Sequence, residues 1–487
     1  SGYSGSGVSG YSGFSGYSGA AAGAATPTAL GSVYGKTSST DYTALGYSSL
    51  SGLSSGLRNT AVGFESALTI AAHSDNTAVG YRAMTGTTGG NNVAIGSYAL
   101  KQGNFSNTVG IGYNVAPVAG ASGGSNVYIG YQAAVAATTG NNNVAIGADV
   151  ASKLTSGAYN IYLGQGAGPA VNAATGNYNI GFGSGSLGNM NSGTYNIAFG
   201  VNALNLNLSG TGNIAIGTGA LSSNDGANYN IGIGQSALAS VTNATENIAI
   251  GYYAANNGVG YGSTAVGYEA LKNINAGPYS VAFGMGAGRY LSGSGSSFGN
   301  YNTLIGTRAG EGINGSSTYS YNTYVGAGAG TNSTTGSYNV FLGQGSGGDV
   351  SSGSYNCILG GFGGYNVTLD IRTSSTGTVV LSSGSTLGAW WTQGGGWYQN
   401  NNSSSWSTTS DIRIKKNVAT ITNGLAIVTA LRPVEFDYIL NEQHAAGFIA
   451  QEYELVLPDQ ITEEVNAGEE TKMLTNGEPV KIGRAHV

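Results

Sequence analysis

The chain has 487 residues, of which 86 are Gly and 32 are Tyr while only 8% are charged, a composition unlike that of an ordinary globular enzyme or a charged disordered chain. A formal net charge of −6 offers nucleic acid and anionic membranes no electrostatic hold, so neither is expected as a partner. One Cys and three His exclude an intrachain disulfide framework and leave too few soft ligands for a zinc site, and no apolar run approaches the roughly 20 residues that span a bilayer; no metal, cofactor or membrane insertion is expected.

Residues 1–19 read SGYSGSGVSGYSGFSGYSG, with Gly at 2 and 5, one slip, then Gly at 7, 10, 13, 16 and 19. Gly at every third position is what a three-chain collagen-like helix needs at its crowded axis, and the same composition also serves a flexible linker; either is a stalk. These Gly-Tyr-Ser runs resemble the collagen-like connectors of phage fibres. Residues 20–40 read as a linker. The chain begins inside this repeat without an initiator Met, and we expect it to be a fragment.

From residue 41 to 362 one line recurs, as in NIAIGTGAL (213–221) and NIGIGQSAL (230–238). Aligned on its Gly it occurs nineteen times, from Gly46 to Gly360, mostly 16 to 19 residues apart, with longer steps of 22 and 20 before Gly306 and Gly326. A fixed period of this size marks a stacked array, in which each coil is too small to bury its own apolar residues and neighbours complete the core. Apolar residues two apart, such as Ile214 and Ile216, are expected on one buried face of a short strand, with the Gly, Ser, Thr and Asn between strands forming turns. Stacked at about 4.8 Å, nineteen coils make a rod of about 90 Å. Asn stands four residues before the Gly in fifteen copies, replaced by Tyr42, Thr108, Ser263 and Ser280, and stacked Asn side chains are expected to bond along the rod. The small middle residues Ala94, Ala145, Ala198, Ala215 and Ala249 are expected to let another chain approach closely. Cys357, at the first apolar place of the last coil, reads as a small core residue.

These copies resemble the head repeats of trimeric autotransporter adhesins, whose NxVAIGxxSxA pattern implies a left-handed parallel β-roll assembled as a trimer. The likeness covers residues 41–362, although the period here is longer and Ala replaces the usual Ser after the Gly.

In residues 363–409, YNVTLDIR (365–372) alternates strictly and TGTVVLSSG follows, which predicts the strands of a stem. All four Trp then occur together, Trp390, Trp391, Trp397 and Trp406. A buried neck between chains is the reading preferred, with stacking on sugar rings the alternative.

At Ser410 the composition changes, because residues 410–487 hold 12 of the 22 acidic and 7 of the 16 basic residues. NGLAIVTAL (423–431) predicts a helix behind an Asn cap, VEFDY (434–438) a strand, and AQEYELVL (450–457) a helix stopped by Pro458. The ordered segments SDIRIKKNV (410–418), LRPVEFDY (431–438) and GFIAQEYELVLP (447–458) closely resemble the C-terminal intramolecular chaperone of endosialidase tailspikes and related phage fibres. The resemblance implies a domain, residues 410–481 and truncated, that assists trimerisation and then cuts itself off, with Ser410 as nucleophile and Lys415 as general base. The chemistry is sound, since a Ser hydroxyl needs a base in hydrogen-bond reach, and a Lys serves only once burial or nearby positive charge lowers its pKa from about 10.4. Cleavage would then wait for folding. The closing IGRAHV (482–487) is the translation of a common sequencing-library adapter, and we expect it to be a non-native tail.

The fold expected is therefore mainly β: a parallel β-roll or β-solenoid rod of about 17-residue coils, trimeric, with a collagen-like segment before it and a small α+β chaperone domain after it. The function expected is that of a bacteriophage tail fibre or tailspike located in the virion. Its expected partners are itself as a homotrimer, a host cell-surface glycan or protein receptor, and other virion tail proteins. Self-cleavage by the Ser410–Lys415 dyad is the activity expected, without action on external substrates. A bacterial trimeric adhesin at the cell surface is one alternative. A polysaccharide depolymerase is another, which the ten scattered carboxylates of residues 1–409 disfavour because glycosidases use two positioned ones.

Overall fold

The computed structural model describes residues 33–34, 41–170, 173–258, 260–273, 279–291, 301–315, 317–366, 368–373, 376–393, 396–400, 422–437, 444–457, 461–462 and 484–485. The chain divides into two compact units, Ser1–Ser404 and Ser405–Val487.

The first unit is a parallel β-solenoid. Nineteen strands of three or four residues, from Tyr42–Leu45 to Cys357–Leu359, stack in chain order. Each is parallel to the next with equivalent residues opposite, so that Ile197, Ile214 and Ile231 share one column. The repeat glycine explains itself here. Gly217 has φ +129°, and a Cβ on it would lie 2.6 Å from the carbonyl oxygen of Gly234 in the next coil. Only a residue without a side chain lets two coils approach so closely in that conformation.

Two further positions turn the chain. Gly219 and Leu221, the second and fourth residues after Gly217, both have left-handed backbone, at φ 66° and 50°. The Leu221 amide then donates to the carbonyl of Ala237 in the next coil at 2.9 Å. Coils are thereby joined through their turns as well as their strands.

Asn residues line a second column. The backbone amide of Asn213 donates to Asn196 Oδ1 at 3.0 Å, and its side-chain Nδ2 donates to the same oxygen at 3.1 Å and to the Ala227 carbonyl at 2.8 Å. Asn213 is fully buried, so these bonds supply its amide groups with the partners that water cannot. The expected Asn ladder is present, and Ser263 and Ser280 continue it through hydroxyl oxygens that accept the next backbone amide at 3.4 Å.

The core differs from expectation. In all nineteen strands the middle residue is the buried one and the two flanking residues point outward. Ala215 is inaccessible to solvent, whereas Ile216 beside it is 42% exposed. One residue per strand, the middle one, turns inward, and it is Ala or Gly in thirteen of the nineteen strands. Ala94, Ala145, Ala198, Ala215 and Ala249 therefore pack within their own coil and make no approach surface. Cys357 likewise lies on the outer face, half-buried, with Ile358 taking the core place.

Core size is regulated along the rod. Where the middle residue is large, the residue four after the repeat Gly is small: Tyr162 stands with Gly168, Tyr324 with Gly330 and Phe341 with Gly347. A Cβ at Gly347 would lie 2.4 Å from the Phe341 ring, and one at Gly330 would lie 2.4 Å from the Tyr324 ring. Where the middle residue is Ala or Gly, that place carries Leu or Met in eight coils, as at Leu204, Leu221 and Leu238, and Ala or Gly in five, as at Ala67, Ala151 and Ala255. A large middle residue is thus always matched by a small one in the turn, while the reverse holds only in part.

Both ends of the parallel stack carry antiparallel strands. Val33–Tyr34 pairs with Leu45 and Ala44 on the first strand. At the other end Val379–Ser383 adds one more parallel strand to Cys357–Leu359, and Thr386–Trp391 and Trp397–Gln399 follow it antiparallel. Open edges of a parallel stack invite further pairing, and a reversed strand interrupts the repeat. Among the described residues of YNVTLDIR no strand forms, and Tyr365 and Asp370 meet in an isolated antiparallel bridge. Asn366 Oδ1 instead accepts the amides of Thr368 and Leu369 at 2.8 and 2.7 Å, closing a local turn. Of the Trp residues described, Trp390 is buried and stacks on Tyr398 at 5.5 Å, while Trp397 is exposed.

The second unit contains the helices Gly424–Ala430 and Ala450–Val456 and the antiparallel strands Val434–Asp437 and His444–Gly447. The two helices and Val434–Asp437 match the expected elements in order and type, and His444–Gly447 is a strand that was not expected. Asn423 precedes the first helix but makes no side-chain cap bond. Arg432 Nε donates to Glu452 Oε2 at 2.9 Å, which ties the chain before the hairpin to the second helix. A short pair joins Ile461–Thr462 to Arg484–Ala485.

Candidate self-association face and chaperone segment

The outward strand residues make a continuous stripe. Its thirty-eight positions, two for each of nineteen strands, hold six Thr, Cys357 and thirty-one Val, Ile, Leu or Phe, with no charge. None of the thirty-eight is buried. Phe182 and Phe199 stack along it at 5.4 Å, and Phe283 is 58% exposed. Water facing so long an apolar surface is costly, at roughly 25 cal/mol per Å².

Aromatic ladders border the stripe. The residue before the ladder Asn is left-handed in backbone, and Tyr159, Tyr178 and Tyr195 occupy it with φ 56–59°. Their rings stack at 4.9 and 5.0 Å. A second run, Tyr279, Tyr301, Tyr321, Tyr338 and Tyr355, stacks at 4.8 to 5.2 Å. Asn or Gly would adopt this backbone at less cost, as Asn142 and Gly212 do, so the stacking offsets the conformational strain. On the other border, Tyr47, Phe64 and Tyr81 stack at 5.2 and 5.3 Å. At the last rung, Tyr355 faces an open cleft of about 440 Å³ lined also by Thr376, Gly377, Trp391 and Gln393.

Nine charged residues of the solenoid form ion pairs with one another. Glu269 accepts from Lys272 Nζ at 2.6 Å and from Arg289, and Arg289 also reaches Glu311 at 3.4 Å, where Arg308 binds too. Glu65 is held by Arg82 and Asp75 by Arg58. The Arg58 hydrogen bond keeps the Asp75 carboxyl below its ordinary pKa. These carboxylates serve ion pairs between coils, in contrast to a glycosidase pair that needs one protonated acid.

The stripe was missed in the sequence, because alternation of large, small and large shows which residues share a face but not which face is inside. The signal that could have found it was the exchange of Tyr162 with Gly168 and of Phe341 with Gly347, since only residues sharing a core exchange volume in this way. Ser410, Lys415 and Trp406 lie outside the described residues, as does the expected collagen-like segment 1–19.

Residues 410–462 match the family described as chaperone of endosialidase, which covers 53 of the 487 residues. No curated protein and no solved structure matches the chain. The C-terminal segment is thus similar to endosialidase chaperones, and it follows a mainly β solenoid of about 17-residue coils.

Proposed function

We propose that the chain is a bacteriophage tail fibre or tailspike, a homotrimer in the virion, whose residues 410–481 assist trimerisation and then remove themselves. The similarity of residues 410–462 to endosialidase chaperones carries this reading, because it falls directly behind a β-solenoid. In it Ser410 is the nucleophile and Lys415 takes its proton. The hydroxyl attacks an adjacent backbone carbonyl, the peptide C–N bond breaks, the released amine takes up a proton, and water then hydrolyses the acyl intermediate. Loss of the chaperone leaves the assembled stalk kinetically trapped, since the route back through unfolding no longer has its catalyst.

Host recognition falls to the exposed part of the rod. The bacterial adhesin remains the second reading, favoured by the repeats alone. Intact mass and oligomeric state of the expressed chain, beside a Ser410→Ala form, test the proposal. Cleavage next to Ser410 in the first and none in the second is expected, and an uncut wild type would remove Ser410 and Lys415 from the mechanism.

A further inference from the structure

We infer that the outward strand face is where three copies of this chain pack, parallel and in register, so that the Val, Ile, Leu and Phe stripe becomes a second, intermolecular core. The inference rests on the self-associating reading above, and it places the contact opposite to where the small middle residues first pointed.

Three observations carry it. The first is extent. Nineteen strands at about 4.8 Å and a width of about 10 Å present on the order of 900 Å². The largest apolar patch of a typical monomer is about 300–600 Å², and a stable interface covers about 800 Å² per partner.

The second is uniformity. A receptor-specific surface needs polar groups to fix orientation, and in thirty-eight positions this stripe has six Thr and no charge. What complements such a face rung for rung is another surface with the same repeat, and a second copy in the same direction supplies it at every level.

The third is division within each strand. Two side chains leave each rung on the same side, as Ile214 and Ile216 do around buried Ala215. About a three-fold axis along the rod, one of them turns to each neighbour. The two borders of the stripe then fall at the seams between copies, where the residue before the ladder Asn of one copy meets, on the same rung, the residue after the repeat Gly of the next.

The test uses the full chain. Ile214→Lys, Ile231→Lys and Ile248→Lys together place charge on three successive rungs of the face. Leu206→Lys with Ser240→Lys charges exposed positions away from it. Native mass spectrometry should show trimer for the wild type and the second form, and monomer for the first, with unchanged β-sheet circular dichroism. Trimer in the first form would overturn the inference, as would monomer in the second.

Cys357 supplies a measurement without substitution, because it lies on the stripe and is the single thiol of the chain. A maleimide should label Cys357 slowly in the native trimer and completely once the chain is unfolded. Ready labelling of the native trimer would overturn the burial of this face between copies. Failure of cleavage at Ser410 with the face results intact would sink the chaperone reading alone. A monomeric wild type would sink both.

Discussion

Gly347 and Phe341 occupy one space: a Cβ added to the glycine would lie 2.4 Å from the phenylalanine ring, which stacks at 4.8 Å on Tyr324 of the preceding coil. The solenoid tolerates a large residue in the middle of a strand only because the turn of the same coil yields its volume. This exchange sets how the coils respond to substitution.

Gly347→Ala should destabilise the rod by about 1–3 kcal/mol through overpacking, and Phe341→Ala by about 3–5 kcal/mol through the cavity it leaves. Combined, they should cost less than the sum, with a coupling of about 0.5–3 kcal/mol. Thermal unfolding of the four forms measures this. Additive losses would mean that the two residues do not share their space.

Gly217→Ala should be more severe than any exposed change, because it adds a methyl 2.6 Å from the Gly234 carbonyl in a backbone of φ +129°. Coils must separate locally to admit it. Soluble yield and protection of coil amides from hydrogen exchange should both fall around residues 200–250, and a wild-type exchange pattern would contradict the close approach.

Asn213→Ala should cost about 1–3 kcal/mol, since it removes the Oδ1 that accepts the buried Asn230 amide at 3.0 Å and leaves the Ala227 carbonyl with Asn224 Nδ2 as its side-chain donor. Asn213→Ser should cost less, because Ser280 shows the same column carried by a hydroxyl. Equal losses for the two substitutions would argue that cavity volume, and not bonding, decides the effect.

Alkali should destabilise the solenoid. Burial pushes the phenols of Tyr128, Tyr162, Tyr319 and Tyr324 well above their ordinary range. The stability they contribute is complete below the unfolded pKa of about 10 and is lost as pH rises past it, because the unfolded chain then ionises first. Melting temperature should hold up to about pH 9 and fall above about pH 10. Tyr162→Phe should shift that fall to higher pH, and an unchanged alkaline limb would count against a titrating core.

The period, the strand positions and the ladder of buried Asn could all be read from residues such as Asn213, Ile214 and Gly217. Each depends on contacts between equivalent places one coil apart, and a repeat writes those places out in order. The helices Gly424–Ala430 and Ala450–Val456 were also legible, their apolar spacing and stops being local. YNVTLDIR misled because the Asn366 side chain captured two amides that a strand would have paired. The motif around Ser410 and Lys415 was visible as residue order, while its geometry belongs to residues outside those described.

Sequence alone determined that this chain stacks about 17-residue coils, because period and pattern are one-dimensional properties. Only the tertiary structure decided which side of each strand is the inside. A large, small, large triplet fits either orientation, and the choice falls to the closing of the coil, which turns the single middle residue Ala215 inward and Ile214 and Ile216 outward.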